Sequence, residues 1–336
     1  MLRRAAAFTG LAGALLTLAL APAVETGHAA PPRSQTVGQV HVWTIKYRAH
    51  TGASVKAYVA LPASYRPSSN EKLPLIISPH GRGLGARANL RLFGALPARG
   101  SFAVVSPEGT GRRLARYSWG SPGQVEDLAR MPEILRRTLP WLEIDRARVF
   151  AFGGSMGGQE SLLLLARHHR MLAGVAAFDA VTNFALQYHS FPSIPCAKAC
   201  RTTWNGTIGR SLQALARDEV GGTPTKRRQA YMLRSPLSYA RTIAGSCVPV
   251  QLWWSTKDRI VPNQERQSGA LYKAIRSISP RAPVQSFVGG WKHSVEMHAK
   301  TRLPGALAAF GLLPPIPSAT FGLRVGPPPD DTCAPD

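Results

Sequence analysis

The residues able to do covalent chemistry gather in three short phrases of the 336-residue chain. The first is Gly153-Gly154-Ser155-Met156-Gly157, which follows the apolar run Val149-Phe150-Ala151-Phe152 and precedes the helix-like Gln159-Glu160-Ser161-Leu162-Leu163-Leu164. A tight turn between strand and helix strains the backbone of its middle residue, lifts that hydroxyl clear of the sheet and demands glycine where a Cβ would clash. A serine hydroxyl attacks only when a base takes its proton, and the base needs a carboxylate to orient it. The second phrase, Thr256-Lys257-Asp258-Arg259-Ile260-Val261-Pro262, offers the acid Asp258. The third, Gly289-Gly290-Trp291-Lys292-His293-Ser294, offers the base His293. Both follow short apolar runs, in the chain order nucleophile, acid, base. The chemistry open to such a set is acyl transfer through a serine ester.

Other residues compete for these roles. Asp179 ends the preceding apolar run and is the chief rival acid; its alternative role is to bond loop backbone near the turn. His298 reads as a surface residue, and His168, His169 and His189 lack a strand-end position and read as structural. A tetrahedral intermediate needs two N–H donors for its oxyanion. One falls to the backbone of Met156. The other falls to the phrase Ser78-Pro79-His80-Gly81-Arg82-Gly83, with Arg82 as first choice and Gly81 as second. His80 reads as a residue that bonds nearby loop backbone rather than as a base.

Positioning these groups requires strands that end beside one another. Val40 to Tyr47 and Val55 to Leu61 read as an opening antiparallel pair; Leu73 to Ser78, Phe102 to Ser106, Val149 to Phe152, Val175 to Phe178, Val250 to Trp254 and Val284 to Val288 read as short buried strands. Helix-like segments lie between them, around 88–98, 125–139, 157–168 and 263–278. The pattern predicts an α/β fold: a mostly parallel eight-stranded sheet with helices on both faces. Residues 183–240 are too long for an ordinary connection and are expected to form a lid-like insertion. Trp119, Tyr188, Phe191 and Trp204 are candidates to line an apolar cleft there, packing being the alternative.

These phrases resemble the catalytic domain of the prolyl oligopeptidase family and its dienelactone-hydrolase-like and secreted-esterase relatives. The likeness runs from about Val55 to Thr301. It rests on His80-Gly81-Arg82-Gly83, Asp127 before Ile144-Asp145-Arg146-Ala147-Arg148-Val149, the turn Gly153 to Gly158, Arg234-Ser235-Pro236 before Tyr239, Asp258-Arg259-Ile260-Val261-Pro262 with Gln264, and His293. The resemblance implies the α/β-hydrolase fold and Ser155, Asp258 and His293 as the triad. The oligopeptidases carry a large propeller before this domain, whereas only about forty residues precede the first matching strand here. Size gating of peptides by a propeller is therefore not expected, and an esterase acting on exposed small-molecule or polymer esters takes precedence over a peptidase or an acyltransferase.

Composition and the termini bound the setting. Met1-Leu2-Arg3-Arg4, an apolar stretch from Ala5 to Ala23 and small residues beyond it read as an export signal over 1–29, cut after residue 23 or 29. The body is expected over 30–313 and a Pro-rich tail over 314–336, with no transmembrane segment once the signal is gone and a secreted location. The four cysteines favour disulfides in an exported chain. Cys196 and Cys200 suggest a local staple, which leaves Cys247 to hold Cys333 and the tail. Neither pair has zinc-site spacing, and the reading calls for no metal or cofactor. The formal charge of +23 comes mostly from scattered Arg, which argues against specific nucleic acid binding; it reads first as a solvated basic surface, with weak adsorption to anionic cell-wall polymer as the second reading. A non-catalytic wall-binding protein is the remaining class, and the filled triad positions argue against it.

Overall fold

The structure, a computed structural model, describes residues 33–67, 71–194, 209–328 and 333. The chain opens with strands β1 (Arg33–Val37), β2 (Val40–Arg48) and β3 (Ser54–Pro62), all antiparallel neighbours. Strand β4 (Leu73–Ile77) leads to helices α1 (Ala86–Arg91) and α2 (Leu96–Gly100), then to β5 (Ala103–Pro107). Helices α3 (Pro122–Ala129) and α4 (Met131–Thr138) precede β6 (Ile144–Gly154), α5 (Met156–His168) and β7 (Gly174–Phe178). The insertion contributes α6 (Phe184–Ser190), α7 (Gly209–Val220) and α8 (Arg228–Met232). Helix α9 (Ala240–Gly245), β8 (Val250–Ser255), α10 (Ser268–Ile278), β9 (Val284–Gly289), α11 (Leu303–Ala308) and β10 (Arg324–Val325) complete the order.

One sheet runs β1-β2-β3-β5-β4-β6-β7-β8-β9-β10. It has ten strands rather than the eight expected, because β1 and β10 add antiparallel edges. Both lie in sequence without an apolar run, so pattern alone could not reveal them. From β5 to β9 every pairing is parallel. Parallel strands covered on both faces must be apolar on both sides, and alternate residues do enter opposite cores. Leu75, Val149, Ala151, Val175 and Leu252 meet α3, α4, α5, α9 and α10 on one face. Ile76, Phe150, Phe152, Ala176 and Trp253 meet α1, α2 and α11 on the other.

Helix boundaries follow backbone chemistry more closely than periodicity does. The segment expected over 88–98 is two helices parted at Gly94, whose φ of +51° is left-handed. The segment 125–139 divides before Pro132, which cannot donate to a continuing helix and sits instead in the first turn of α4. The described part of the insertion is a set of helices with their own apolar cluster: Trp119, Met156, Phe184, Tyr188, Phe191, Leu212 and Tyr231 pack together. Three of the four proposed cleft aromatics are therefore packing residues; Trp204 lies outside the described residues. In the tail, Cys333 is bonded to Cys247, with Cα atoms 5.6 Å apart. The leader, Cys196 and Cys200 lie outside the described residues. No helix among the described residues is long and apolar enough to cross a membrane.

Candidate active site

Strand order reverses between β4 and β6, where chain connections diverge and leave a crevice beyond the carboxyl ends of the strands. Ser155 stands there, between the last residue of β6 and the first of α5. Its backbone has φ +59° and ψ −123°, a conformation L residues seldom adopt. Bonds from Ser155 N–H to Phe178 O (2.8 Å) and from Gln159 N–H to Ser155 O (3.0 Å) hold it. Glycine at 153 and 157 is a steric requirement: a Cβ on Gly153 would overlap the Gly157 backbone, and one on Gly157 would overlap Pro79 O.

The loop after β4 closes on this turn. A Cβ on Gly81 would lie 3.7 Å from Ser155 Cβ and 3.3 Å from Gly154 O, so the candidate oxyanion loop touches the serine. Met156 begins α5, and the first N–H groups of a helix have no partner within it and sit at its positive end. His80 is buried and joins two loops: Nε2 accepts from Gly109 N–H, in the loop after β5, at 3.1 Å, and Nδ1 lies 3.0 Å from Gly81 O in its own loop. Burial holds its pKa below the ordinary histidine value, which suits a neutral, loop-bracing imidazole.

Asp258 and His293 meet above the ends of β8 and β9. His293 Nδ1 lies 2.7 Å from Asp258 Oδ2, which leaves Nε2 as the ring's other nitrogen. Asp258 is held from behind: its Oδ1 accepts from Ile260 N–H (2.8 Å) and Val261 N–H (3.0 Å), and Gln264 Nε2 lies 3.4 Å from Oδ2. The Asp-Arg-Ile-Val-Pro phrase thus has a local physical purpose. Its short turn supplies the backbone donors that aim the carboxylate.

Asp179 occupies the gap between these loops. Its Oδ1 accepts from Ser255 N–H (2.7 Å), and its Oδ2 accepts from Ser294 N–H (2.7 Å) and Trp291 Nε1–H (3.0 Å). Ser255 ends the strand before Asp258, and Ser294 adjoins His293, so Asp179 ties together the two loops that carry them. This is backbone bracing, though of the acid and histidine loops more than of the serine turn. Its own φ is +45°, and burial together with the Asp258 charge raises its pKa above the usual carboxylate range. One ligand atom each from Asp179, Asp258 and His293 lies within 4.8 Å of the others. That spacing could admit a metal ion, but the carboxylate oxygens already face N–H donors, the arrangement of a hydrogen-bonded relay.

Two further buried carboxyls surround the site and were not singled out by sequence. Glu160, on α5, accepts a bond from Ser118 Oγ and steadies the loop bearing Trp119; burial pushes its pKa up to about 7. Glu296, three residues past His293, has a buried Oε2 without a hydrogen-bond partner, and burial followed by the Asp179 charge pushes its pKa up to about 8. Trp291 and Ser255 were also missed as partners of Asp179; their strand-end positions were the available signal. His298 Nδ1 accepts from Lys300 N–H at 3.2 Å, and His168 Nε2 lies 3.0 Å from Glu126, both outside this constellation.

No family model matches the sequence. Solved structures do resemble it. A carboxyl esterase 2 from Tuber melanosporum matches at 17% identity over 84% of this chain and 87% of that one, with a TM-score of 0.57. An acylaminoacyl peptidase from Pyrococcus horikoshii matches at 15% identity and a TM-score of 0.57, over 83% of this chain but 42% of its own. A puromycin-hydrolyzing peptidase from Mycobacterium tuberculosis matches at 21% identity and a TM-score of 0.56, over 87% of this chain and 41% of its own. The chain spans less than half the length of either peptidase. With its mostly parallel sheet, its helices on both faces and these likenesses, the chain has the α/β-hydrolase fold.

Proposed function

We propose that the protein is a serine hydrolase that cleaves carboxylic esters through an acyl-enzyme. What supports this reading is Ser155 on a strained turn with Gly81 against it, the 2.7 Å contact between His293 and Asp258, and the close approach of their chain neighbours, since a Cβ on Gly154 would lie 3.1 Å from Ser294 Oγ. Ser155 Oγ attacks the ester carbonyl while His293 Nε2 takes its proton. Asp258 holds Nδ1–H, fixes the tautomer and stabilises the imidazolium that forms. The N–H of Met156, with that of Arg82 or Gly81, receives the oxyanion. His293 then protonates the leaving alcohol, and a water molecule resolves the acyl-enzyme by the reverse steps.

Amide hydrolysis by the same groups is the second reading, favoured by the peptidase likenesses. Esters expel the better leaving group, so a triad without tight subsite binding shows itself first on esters. Short-chain 4-nitrophenyl esters are expected to have a kcat/KM at least about a hundredfold above any aminoacyl anilide, roughly 2.7 kcal/mol in transition-state stabilisation. A prolyl anilide matching the best ester would restore the peptidase.

Export completes the proposal. It is supported by the leader-like sequence over 1–29 and by the Cys247–Cys333 bridge, since disulfides persist in oxidising compartments. N-terminal sequencing of protein from the culture medium should begin at Val24 or Ala30. Cell-associated protein that retains Met1 contradicts it. Adsorption to anionic wall polymer, if driven by the positive charge, should vanish in moderate salt.

A further inference from the structure

We propose that the substrate carries an anionic group, with a carboxylate as the simplest case, and that the Arg82 guanidinium receives it beside the reacting carbonyl. This deepens the ester-hydrolase reading and rests on Ser155 as nucleophile. Arg82 follows Gly81, the residue in contact with the serine turn. Its side chain is anchored: Cζ lies 5.6 Å from the centre of the Tyr117 ring, and Tyr117 packs on the cluster that includes Trp119 and Met156. The guanidinium is therefore held against the same wall as the residue after the nucleophile.

Its charge has no answer in that wall. Arg82 Nε is buried without a hydrogen-bond partner, and no carboxylate pairs with Arg82 among the described residues. Glu108, whose buried Oε2 has no hydrogen-bond partner, lies 4.0 Å from both Arg116 Nε and His80 Nε2 and makes no ion pair with Arg82. Glu219 is taken up by the N–H groups of Arg112 (2.7 Å) and Arg113 (3.1 Å) and by Arg234 at 3.8 Å. The insertion adds little acid: Asp218 and Glu219 are its acidic residues, and basic residues between Lys198 and Arg234 outnumber them. An arginine keeps its charge at any working pH and presents a planar fork of donors that matches a carboxylate. Arg82 as a whole is half-buried, so an anionic substrate would pair the exposed end of its guanidinium and be drawn in by the basic surroundings; a cationic one would be repelled.

The test compares kcat/KM at low ionic strength within two substrate pairs. Mono-4-nitrophenyl adipate against 4-nitrophenyl hexanoate puts the charge in the acyl group; 4-acetoxybenzoate against 4-acetoxybenzamide puts it in the leaving group. In at least one pair the anionic member is expected to be faster by tenfold or more. Arg82→Gln should reduce that ratio at least tenfold, Arg82→Lys should restore part of it, and salt should erode it. Absence of an anionic preference in both pairs, or an equal loss for both members in Arg82→Gln, overturns the proposal. If none of the four esters turns over, a carboxylate-bearing and a neutral alkyl fluorophosphonate decide. Faster labelling by the anionic probe, reduced in Arg82→Gln, supports the proposal, and equal labelling overturns it alone. Failure of both probes to label Ser155 removes the nucleophile reading and this proposal with it.

Discussion

Exchanging Asp258 and Asp179, the two buried aspartates of the site, one at a time for asparagine separates the acid of the relay from the brace behind it. In Asp258→Asn the amide oxygen is claimed by the Ile260 and Val261 N–H groups, which already point at Oδ1, so the NH2 group faces His293. The imidazole must then accept at Nδ1 and carry its proton on Nε2, where it can no longer take one from Ser155. Loss of the working tautomer should lower kcat by roughly 10³ to 10⁴, or about 4–5.5 kcal/mol. In Asp179→Asn the amide oxygen can keep the Ser294 and Trp291 donors, leaving its NH2 against Ser255 N–H. One bond is lost and two donors are opposed, which costs roughly 1–3 kcal/mol of stability but leaves activity within about tenfold. Hydrolysis of 4-nitrophenyl acetate, with thermal unfolding of both variants, reads both effects. The reverse order, with a folded Asp179→Asn losing a thousandfold and Asp258→Asn less than tenfold, would move the acid to the strand before and refute the relay drawn from the 2.7 Å contact.

Other outcomes follow from the same geometry. A carboxyl raised above its unfolded value keeps a proton that the unfolded chain has lost, so its contribution is full below the unfolded pKa and falls as pH rises through the folded one. For Glu160 that window runs from 4.5 to about 7. A shift of this size is worth about 3 kcal/mol, so urea unfolding of Glu160→Gln should show a shallower loss of stability between pH 4.5 and about 7; an unchanged slope would show that Glu160 is not the neutral buried acid. Gly157→Ala must push the serine turn away from Pro79 O, and is expected to lose about 1–3 kcal/mol of stability and at least a hundredfold in ester turnover, measured by melting and initial rates. Peptide mapping without reduction should find Cys247 linked to Cys333 and Cys196 linked to Cys200. Four free thiols in protein exported by its own host would contradict both. Reducing the 86-residue Cys247–Cys333 link should destabilise by at most about 4–5 kcal/mol on chain entropy alone, read as a fall in melting temperature.

How much of this was legible in the sequence depended on how local the cause was. The six parallel strands were readable because their apolar runs face two cores, and the serine turn was readable because only glycine fits at 153 and 157. Asp258 and His293 were found from strand-end position, and the bond between them is a tertiary fact that position merely allowed. The edge strands β1 and β10 were invisible. They are defined by backbone pairing with β2 and β9 rather than by side chains that alternate. The bracing role of Asp179 was only half legible, since its donors at Ser255, Trp291 and Ser294 are brought from two other loops by the sheet order. The insertion's aromatics could not be assigned to cleft or core until α6, α7 and α8 were seen to close over Trp119 and Met156.

The most direct measurement for the role given to Ser155 is active-site labelling by a simple alkyl fluorophosphonate, followed by mass spectrometry of the modified peptide. An activated serine, unlike an ordinary hydroxyl, displaces fluoride from such a probe. One adduct is expected, on the peptide containing Gly153-Gly154-Ser155-Met156-Gly157, and it should disappear in Ser155→Ala together with ester turnover while the far-UV spectrum is unchanged. Turnover above about a tenth of the original in Ser155→Ala, or an adduct at another serine that survives the substitution, would place the nucleophile elsewhere.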